Sequence, residues 1–238
     1  MNATIAAVTY RGMIGSRRIW LLVALPLIMV GLALLLRLTN QADEQLAVIL
    51  MQRFAVGALL PLMGLIVGTG VIAREIEDGV IIYMLSKPIP RPVVAYTKLL
   101  VAVSLMIVFA AIPTFLAGYL MVGAESGVAT GFFLGTAAGG IAYAAVFLLI
   151  SVLTRYAVTI GVIYALIWEG LVGGIVPGAR QFSIQQWTQS IADSVSSSPF
   201  FKADVPLGFA AVALIVVTLG AAIWSGQRLR SLSITGDD

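Results

Sequence analysis

Six long apolar runs constrain this chain more than any other feature of its sequence. Each run is near or above the ~20 residues that a helix needs to cross the hydrocarbon core of a bilayer. Hydrophobic residues make up 60% of the 238 residues and charged residues only 11%. The sequence therefore predicts an all-α, polytopic membrane protein, a single unit over residues 1–238, with spans at roughly 19–38, 46–73, 96–122, 128–154, 156–176 and 206–226.

The basic residues divide unequally between the two ends of these spans. An excess of Lys and Arg marks the cytoplasmic side of a membrane protein. We therefore expect both termini to be cytoplasmic, in a cell (inner) membrane, and we interpret the net charge of +3 as topology and not as nucleic-acid binding. Ten basic residues lie on the predicted inner side (Arg11, Arg17, Arg18, Arg74, Lys87, Arg91, Lys98, Arg155, Arg228, Arg230) and four on the outer side (Arg37, Arg53, Arg180, Lys202).

The residue types that are missing exclude several kinds of chemistry. The chain has no Cys and no His, which removes disulfides, thiolate nucleophiles, Ser-His catalysis and the usual transition-metal ligands. None of its three lysines follows a glycine, so the sequence lacks the Gly-Lys pair of a P-loop. We expect no catalytic residue, no metal site and no cofactor bound by this chain; any ATP used would sit with Mg on another subunit.

Two segments outside the spans are predicted to be helical. In residues 1–18, Ile5, Val8 and Gly12/Met13 recur at helical spacing beside basic flanks, which indicates a cytoplasmic helix along the inner interface. A disordered tail is the alternative. In the outer segment, 177–205, an apolar stripe indicates a helix that lies in the outer interface or dips back into it, and a plain loop is the alternative. The stripe is Ile184, Trp187, Ile191 and Val195, and Ser183 with Gln186 has the form of a capping box.

Glycine spacing predicts close helix packing in two spans. Gly131, Gly135 and Gly139 form a doubled small-xxx-small pattern, which lets a neighbouring helix of this chain, or of a second copy, approach closely. In the second span, Pro61 among glycines predicts a kink or a tilt.

Glu169 is an acid well inside an apolar run. An ionisable group there costs on the order of 2–3 kcal/mol or more, so we expect it to face a cavity or a partner. Arg53 in the second span is the favoured basic partner. A substrate-pathway role and a polar clamp between helices both remain open, with proton coupling a weaker alternative.

The connection between the second and third spans is unusually rich in charge. Seven of the 25 charged residues lie in 71–100, and the acids favour a helix start there while three prolines oppose its continuation. The surplus of apolar residues on this connection indicates a covered contact surface. We predict that this connection, 74–95, is a docking surface for a soluble partner, with a solvated charged loop as the alternative.

The same connection carries a resemblance to a known family. The stretch AREIEDGVIIYMLSKPIPRPVVAYTKLL, residues 73–100, resembles the hallmark segment of type-2 ATP-binding-cassette (ABC-2) transporter permeases, and the stretch YALIWEGLVGGIVPGARQFSIQQW, Tyr164 to Trp187, looks like the fifth span and outer connection of that family. The residues that match the first pattern in order are Glu75, Gly79, Leu85, Pro88, Arg91 and Lys98.

The resemblance implies a permease half that pairs with a second permease chain, as a homodimer or heterodimer, among membrane lipids. It implies a cytoplasmic ABC ATPase subunit as partner, which holds ATP and Mg, and export or flipping of a substrate. The connection after the second span would then be a cytoplasmic coupling helix. The implied ATPase-coupling residues are Arg74, Glu75, Glu77, Asp78, Gly79, Tyr83, Arg91 and Lys98.

Two other functions compete with this interpretation. A secondary transporter or channel would need no ATPase, but the sequence lacks an obvious inverted repeat and has one acid deep in a span. An intramembrane enzyme is less favoured still, because no span holds paired acids.

Overall fold

The computed structural model describes residues 3–15, 18–77, 91–172 and 177–231. Within these ranges the chain is helical and contains no strand, in agreement with the predicted fold class. The α-helices are α1 (Ala3–Ile14), α2 (Arg18–Leu38), α3 (Glu44–Leu50), α4 (Leu60–Glu77), α5 (Arg91–Met106), α6 (Ile112–Val122), α7 (Val128–Leu153), α8 (Ala157–Ile163), α9 (Ile184–Val195) and α10 (Leu207–Ser231). Met51–Leu59, Ile107–Ala111 and Tyr164–Val172 are π-helical, and Pro177–Phe182 forms a 3₁₀-helix.

Five helical stretches in the described part of the chain are long and apolar enough to cross a membrane. They coincide with the first four predicted spans and the last. The predicted fifth span, 156–176, is helical as far as Val172 in its described part, and its apolar portion Ala157–Gly170 is shorter than a full crossing. The five are Ile19–Leu38, Glu44–Ile72, Val93–Val122, Val128–Leu153 and Leu207–Leu229.

Helix α7 forms the centre of the bundle and packs against α4, α9 and α10. Its Tyr143 and Phe147 side chains are fully buried. They lie against Gly64 and Gly68 of α4, where an added Cβ would come within 2.6 Å of the Cβ atoms of Tyr143 and Phe147 respectively. These two glycines therefore let α4 approach the aromatic side chains of the core helix.

Two of the π-helical segments end just before a proline. Pro61 follows Met51–Leu59, and Pro113 follows Ile107–Ala111, each at the second residue of the next α-helix. Proline has no amide hydrogen, and its ring displaces the carbonyl four residues earlier. The second span therefore contains a π-helical segment beside Pro61, and the kink or tilt predicted there stays a prediction.

The predicted N-terminal helix is present as α1, so residues 3–14 are not a disordered tail. Its buried face differs from the predicted one. Val8 is 48% exposed and Gly12 is also exposed, because the helix is rotated so that a small and a polar residue take their places inside. The Tyr10 and Ser104 hydroxyls share a hydrogen bond that ties α1 to α5. The buried side chains of α1 are Ile5, Ala6, Thr9 and Met13.

Candidate functional site

Glu169 lies in the π-helical segment that follows α8, and it is buried, with 1% of its surface exposed. Its carboxylate accepts four hydrogen bonds. Oε1 accepts from the Tyr164 hydroxyl at 2.8 Å and the Ile184 amide at 3.0 Å. Oε2 accepts from the Ser183 hydroxyl at 2.5 Å and the Gln185 amide at 3.3 Å. Two donors on each oxygen supply the hydrogen bonds that a buried carboxylate requires.

Three of these donors belong to the first turn of α9. Ser183 is its N-cap, and its hydroxyl also accepts from the Gln186 amide at 3.4 Å, as the predicted cap requires. The amide of Ser183 donates to the Arg180 carbonyl. It therefore does not donate to the Gln186 side chain, which is the second hydrogen bond of a capping box. The first turn of a helix carries unpaired amides and a partial positive charge. Glu169 therefore acts as a second cap, supplied by the π-helical segment Tyr164–Val172.

Gln185 connects this cap to the second span. Its backbone amide donates to Glu169, and its side-chain Nε2 donates to the carbonyl of Gly57 at 3.3 Å. An α-helix would pair the Gly57 carbonyl with the amide of residue 61, but residue 61 is a proline and has no amide hydrogen. Gln185 thus supplies this carbonyl with a donor from α9.

The glycine face of α7 is covered by α9. A Cβ at Gly131 would lie 2.5 Å from the Ala192 carbonyl oxygen, and a Cβ at Gly135 would lie 2.5 Å from the Thr188 carbonyl oxygen. Gly139 faces the Thr188 side chain in the same way. The close approach predicted from these glycines is therefore present within the chain, and this face is not free for a second copy.

The buried face of α9 is more polar than the sequence predicted. Ile184 and Trp187 are buried as expected, but Val195 is 40% exposed. Two polar residues outside the predicted stripe, Gln185 and Thr188, are buried. The reason is that α9 packs on the backbone of α7 through the glycines, and side chains of modest size fit that contact. The plain-loop alternative is excluded for Ile184–Val195.

Helices α8 and α9 cover different halves of α7. Gly161 of α8 lies against Phe147, whereas α9 lies against Gly131 and Gly135. Glu169, which lies between these two helices in the chain, therefore falls near the middle of a 26-residue helix. Tyr143 of α7 is beside Glu169 and Gln185, yet its buried hydroxyl makes no hydrogen bond within the described part of the chain.

A polar cavity of about 380 Å³ opens beside the Glu169 cap. Its lining includes two carboxylates, three cations and four glutamines. Arg180 forms an ion pair with Asp204 at 2.7 Å across this cavity. The charged lining residues are Arg53, Glu169, Arg180, Lys202 and Asp204.

Arg53 and Glu169 line this cavity together, but the described structure contains no hydrogen bond or ion pair between them. The physical reason is that the four donors described above already occupy the carboxylate. Sequence reasoning singled out Glu169 and missed Tyr164 and Gln185 as its partners. The signal available was the Ser183 capping pattern, which placed a helix start fourteen residues after the acid.

The predicted coupling residues lie at the edge of the described structure. Arg74, Glu75 and Glu77 fall in the last turns of α4, and Arg91 begins α5; nothing is described of their side chains. Asp78, Gly79 and Tyr83 lie outside the described residues.

Lys98 is fully buried, and its Nζ donates to the Val71 carbonyl at 2.5 Å. Its ammonium group therefore ties α5 to α4 and does not lie on a contact surface. A role for Lys98 in coupling would therefore be indirect, because Lys98 sets the position of α5 relative to α4.

The fold defines a multi-pass helical membrane protein in which Glu169 caps helix α9 beside a polar cavity. The chain belongs to a known family of this class, because the family model described as ABC-2 family transporter protein matches residues 3–203. Membrane subunits of that family lack a nucleotide-binding domain of their own and generally associate with an ABC ATPase subunit. A comparison with curated proteins found no match to the chain.

Proposed function

We propose that this chain is the permease subunit of an ABC transporter and moves its substrate with energy from ATP hydrolysed on a separate ATPase subunit. The observation that carries the proposal is the family match over residues 3–203, which includes every predicted span but the last. The sequence agrees with a separate ATPase, because none of its lysines follows a glycine as a P-loop requires.

The permease crosses the membrane six times, with both termini in the cytoplasm. The described spans supply five of the six crossings. The remaining crossing, which is the fifth along the chain, is supplied by 156–176. The short apolar helix of this crossing is supported by α9, which packs on the other half of α7. Hydrogen bonds between Glu169 and the first turn of α9 join the two. This arrangement supports a crossing built from two helical pieces, which is tolerated where protein surrounds the interruption.

The connection 74–95 couples the permease to the ATPase. Helices α4 and α5 bracket it, and the Lys98–Val71 hydrogen bond fixes the distance between them at the base of the connection. A movement of the connection would therefore be passed to both spans. Its charged residues, among them Glu75 and Asp78, are the contacts that a soluble partner would meet.

Two permease chains, identical or different, form the complete membrane unit and export or flip the substrate. Because α9 occupies the glycine face of α7, the contact between the two chains uses another surface. The exposed apolar sides of α2 and α10 face lipid or the second chain.

The experiment that tests the proposal is purification of the tagged chain from its native membrane, followed by identification of what remains bound. We expect an ABC ATPase with its own P-loop at one copy per permease chain, and vanadate-sensitive ATP hydrolysis by the complex. Transport activity in vesicles that hold this chain alone, without any ATPase, would contradict the proposal.

A further inference from the structure

The polar cavity lies in the half of the bundle opposite the connection 74–95. Arg53 on its wall and Glu77 at the end of α4 belong to one continuous helical stretch, Glu44–Glu77. At 1.5 Å per residue the two are about 35 Å apart along that stretch, which exceeds the hydrocarbon thickness of a bilayer. The cavity extends from Glu169, near the middle of α7, toward the membrane end opposite the connection 74–95.

The negative charges on the cavity wall are already occupied. Glu169 accepts four hydrogen bonds at the first turn of α9, and Asp204 is paired with Arg180. With three cations and two carboxylates among its described members, the wall carries one positive charge in excess.

Two positive charges on the wall are not occupied. Arg53 and Lys202 are exposed, and neither makes a hydrogen bond or ion pair with any residue in the described part of the chain. The wall thus offers a guanidinium, an ammonium and several side-chain amides, with no free acid among its described members. Such a surface attracts an anion whose oxygens accept several hydrogen bonds.

We propose that this cavity binds a phosphate group through Arg53 and Lys202. Its volume of about 380 Å³ is in the range of small-molecule sites and far exceeds the space of a single halide ion. A phosphate has enough oxygens to meet the planar fork of Arg53, the ammonium of Lys202 and a glutamine amide such as that of Gln189 together. The group comes from the headgroup of a membrane lipid or from a soluble phosphate anion.

Binding is measured on the purified chain in neutral maltoside detergent, by the shift in thermal unfolding that tryptophan fluorescence reports. One arm titrates phosphatidylglycerol and a second titrates inorganic phosphate at constant ionic strength, with a galactolipid that lacks phosphate as reference. We expect a saturable rise in Tm in at least one phosphate arm and none with the galactolipid. A response to the lipid alone identifies a headgroup site, and a response to inorganic phosphate identifies a site for the free anion.

Variants separate this site from general attraction to charge. Arg53→Gln with Lys202→Gln should weaken the apparent Kd by at least about tenfold. Asp204→Asn should strengthen it, because Arg180 loses its carboxylate partner. Arg37→Gln is the matched control, since Arg37 belongs to the same membrane end but not to the cavity wall, and it should bind as the wild type does.

Three results would overturn the inference. These are no response of the wild type to either source of phosphate, equal binding by the double variant, or weaker binding by Asp204→Asn. The inference does not rest on ATP-driven transport, because no ATPase enters the measurement, so its failure leaves the proposed function standing.

Discussion

The carboxylate of Glu169 accepts a hydrogen bond of 3.0 Å from the backbone amide of Ile184, so an acid from the segment Tyr164–Val172 caps the first turn of α9. Carboxylates at a helix N-terminus are stabilised both by the unpaired amides and by the helix dipole. This relationship explains how an apolar run accommodates an acid, and it makes the replacement of Glu169 a test of structure as well as of transport.

Glu169→Gln should destabilise the protein by about 1–3 kcal/mol, because a glutamine amide offers one acceptor oxygen where the structure uses two. Its NH₂ group would face the Ser183 hydroxyl, which can rotate, and the Gln185 backbone amide, which cannot. Thermal unfolding in detergent measures the loss. Glu125→Gln, in the exposed turn between α6 and α7, is the control and should leave Tm unchanged; equal Tm values for the two variants would refute the cap.

Two tyrosines near Glu169 should respond in opposite ways to removal of the hydroxyl group. Tyr164→Phe deletes a 2.8 Å donor to the carboxylate and should cost about 1–2 kcal/mol. Tyr143→Phe removes a buried hydroxyl that has no partner in the described structure and keeps the ring stacked on Phe147, so stability should hold or rise. A larger loss for Tyr143→Phe than for Tyr164→Phe would show that the hydrogen bonds are misassigned.

The helical class, five of the spans and the need of Glu169 for polar partners follow from the sequence, because apolar length and an acid in an apolar run are local properties. The partners of Glu169 do not, since Ser183 and Ile184 reach it only after the chain has turned back into the bundle. For the same reason, the spacing of Gly131 and Gly135 predicts a close neighbour but not that the neighbour is α9. Charge alone favours Arg53 as the partner of Glu169. In the structure, the backbone amides of Ile184 and Gln185 bind its carboxylate instead.

Gly135→Ala should destabilise the contact between α7 and α9. The added methyl group would lie 2.5 Å from the Thr188 carbonyl oxygen, so one helix must shift, and we expect a loss of about 1–3 kcal/mol. Gly220→Ala in α10 is the matched control, because a Cβ there meets nothing within 4 Å. Unchanged stability in Gly135→Ala would mean that α9 does not sit on this face.

Single cysteines can report the proposed topology, because the chain has no cysteine of its own. Cysteines in place of Ser16, Ser86 and Ser231 should resist an impermeant thiol reagent in intact cells and react after the cells are opened. A cysteine in place of Ser197, an exposed residue after α9, should react in intact cells. Labelling of the Ser86 position from outside would place the charged connection on the wrong side for an ATPase.

Charge reversal in the connection 74–95 tests the central claim most directly. Glu75→Lys with Asp78→Lys leaves the apolar spans unchanged, so the protein should still accumulate in the membrane, and Glu125→Lys at the opposite membrane end provides a control of equal type. Loss of interfacial charge pairs costs about 2–5 kcal/mol, whereas solvated pairs are worth under about 1 kcal/mol. We predict that the double variant binds the ABC ATPase at least about 30-fold more weakly than the Glu125→Lys control does. Wild-type affinity for the ATPase, together with normal ATP-driven transport by the double variant, would contradict the account.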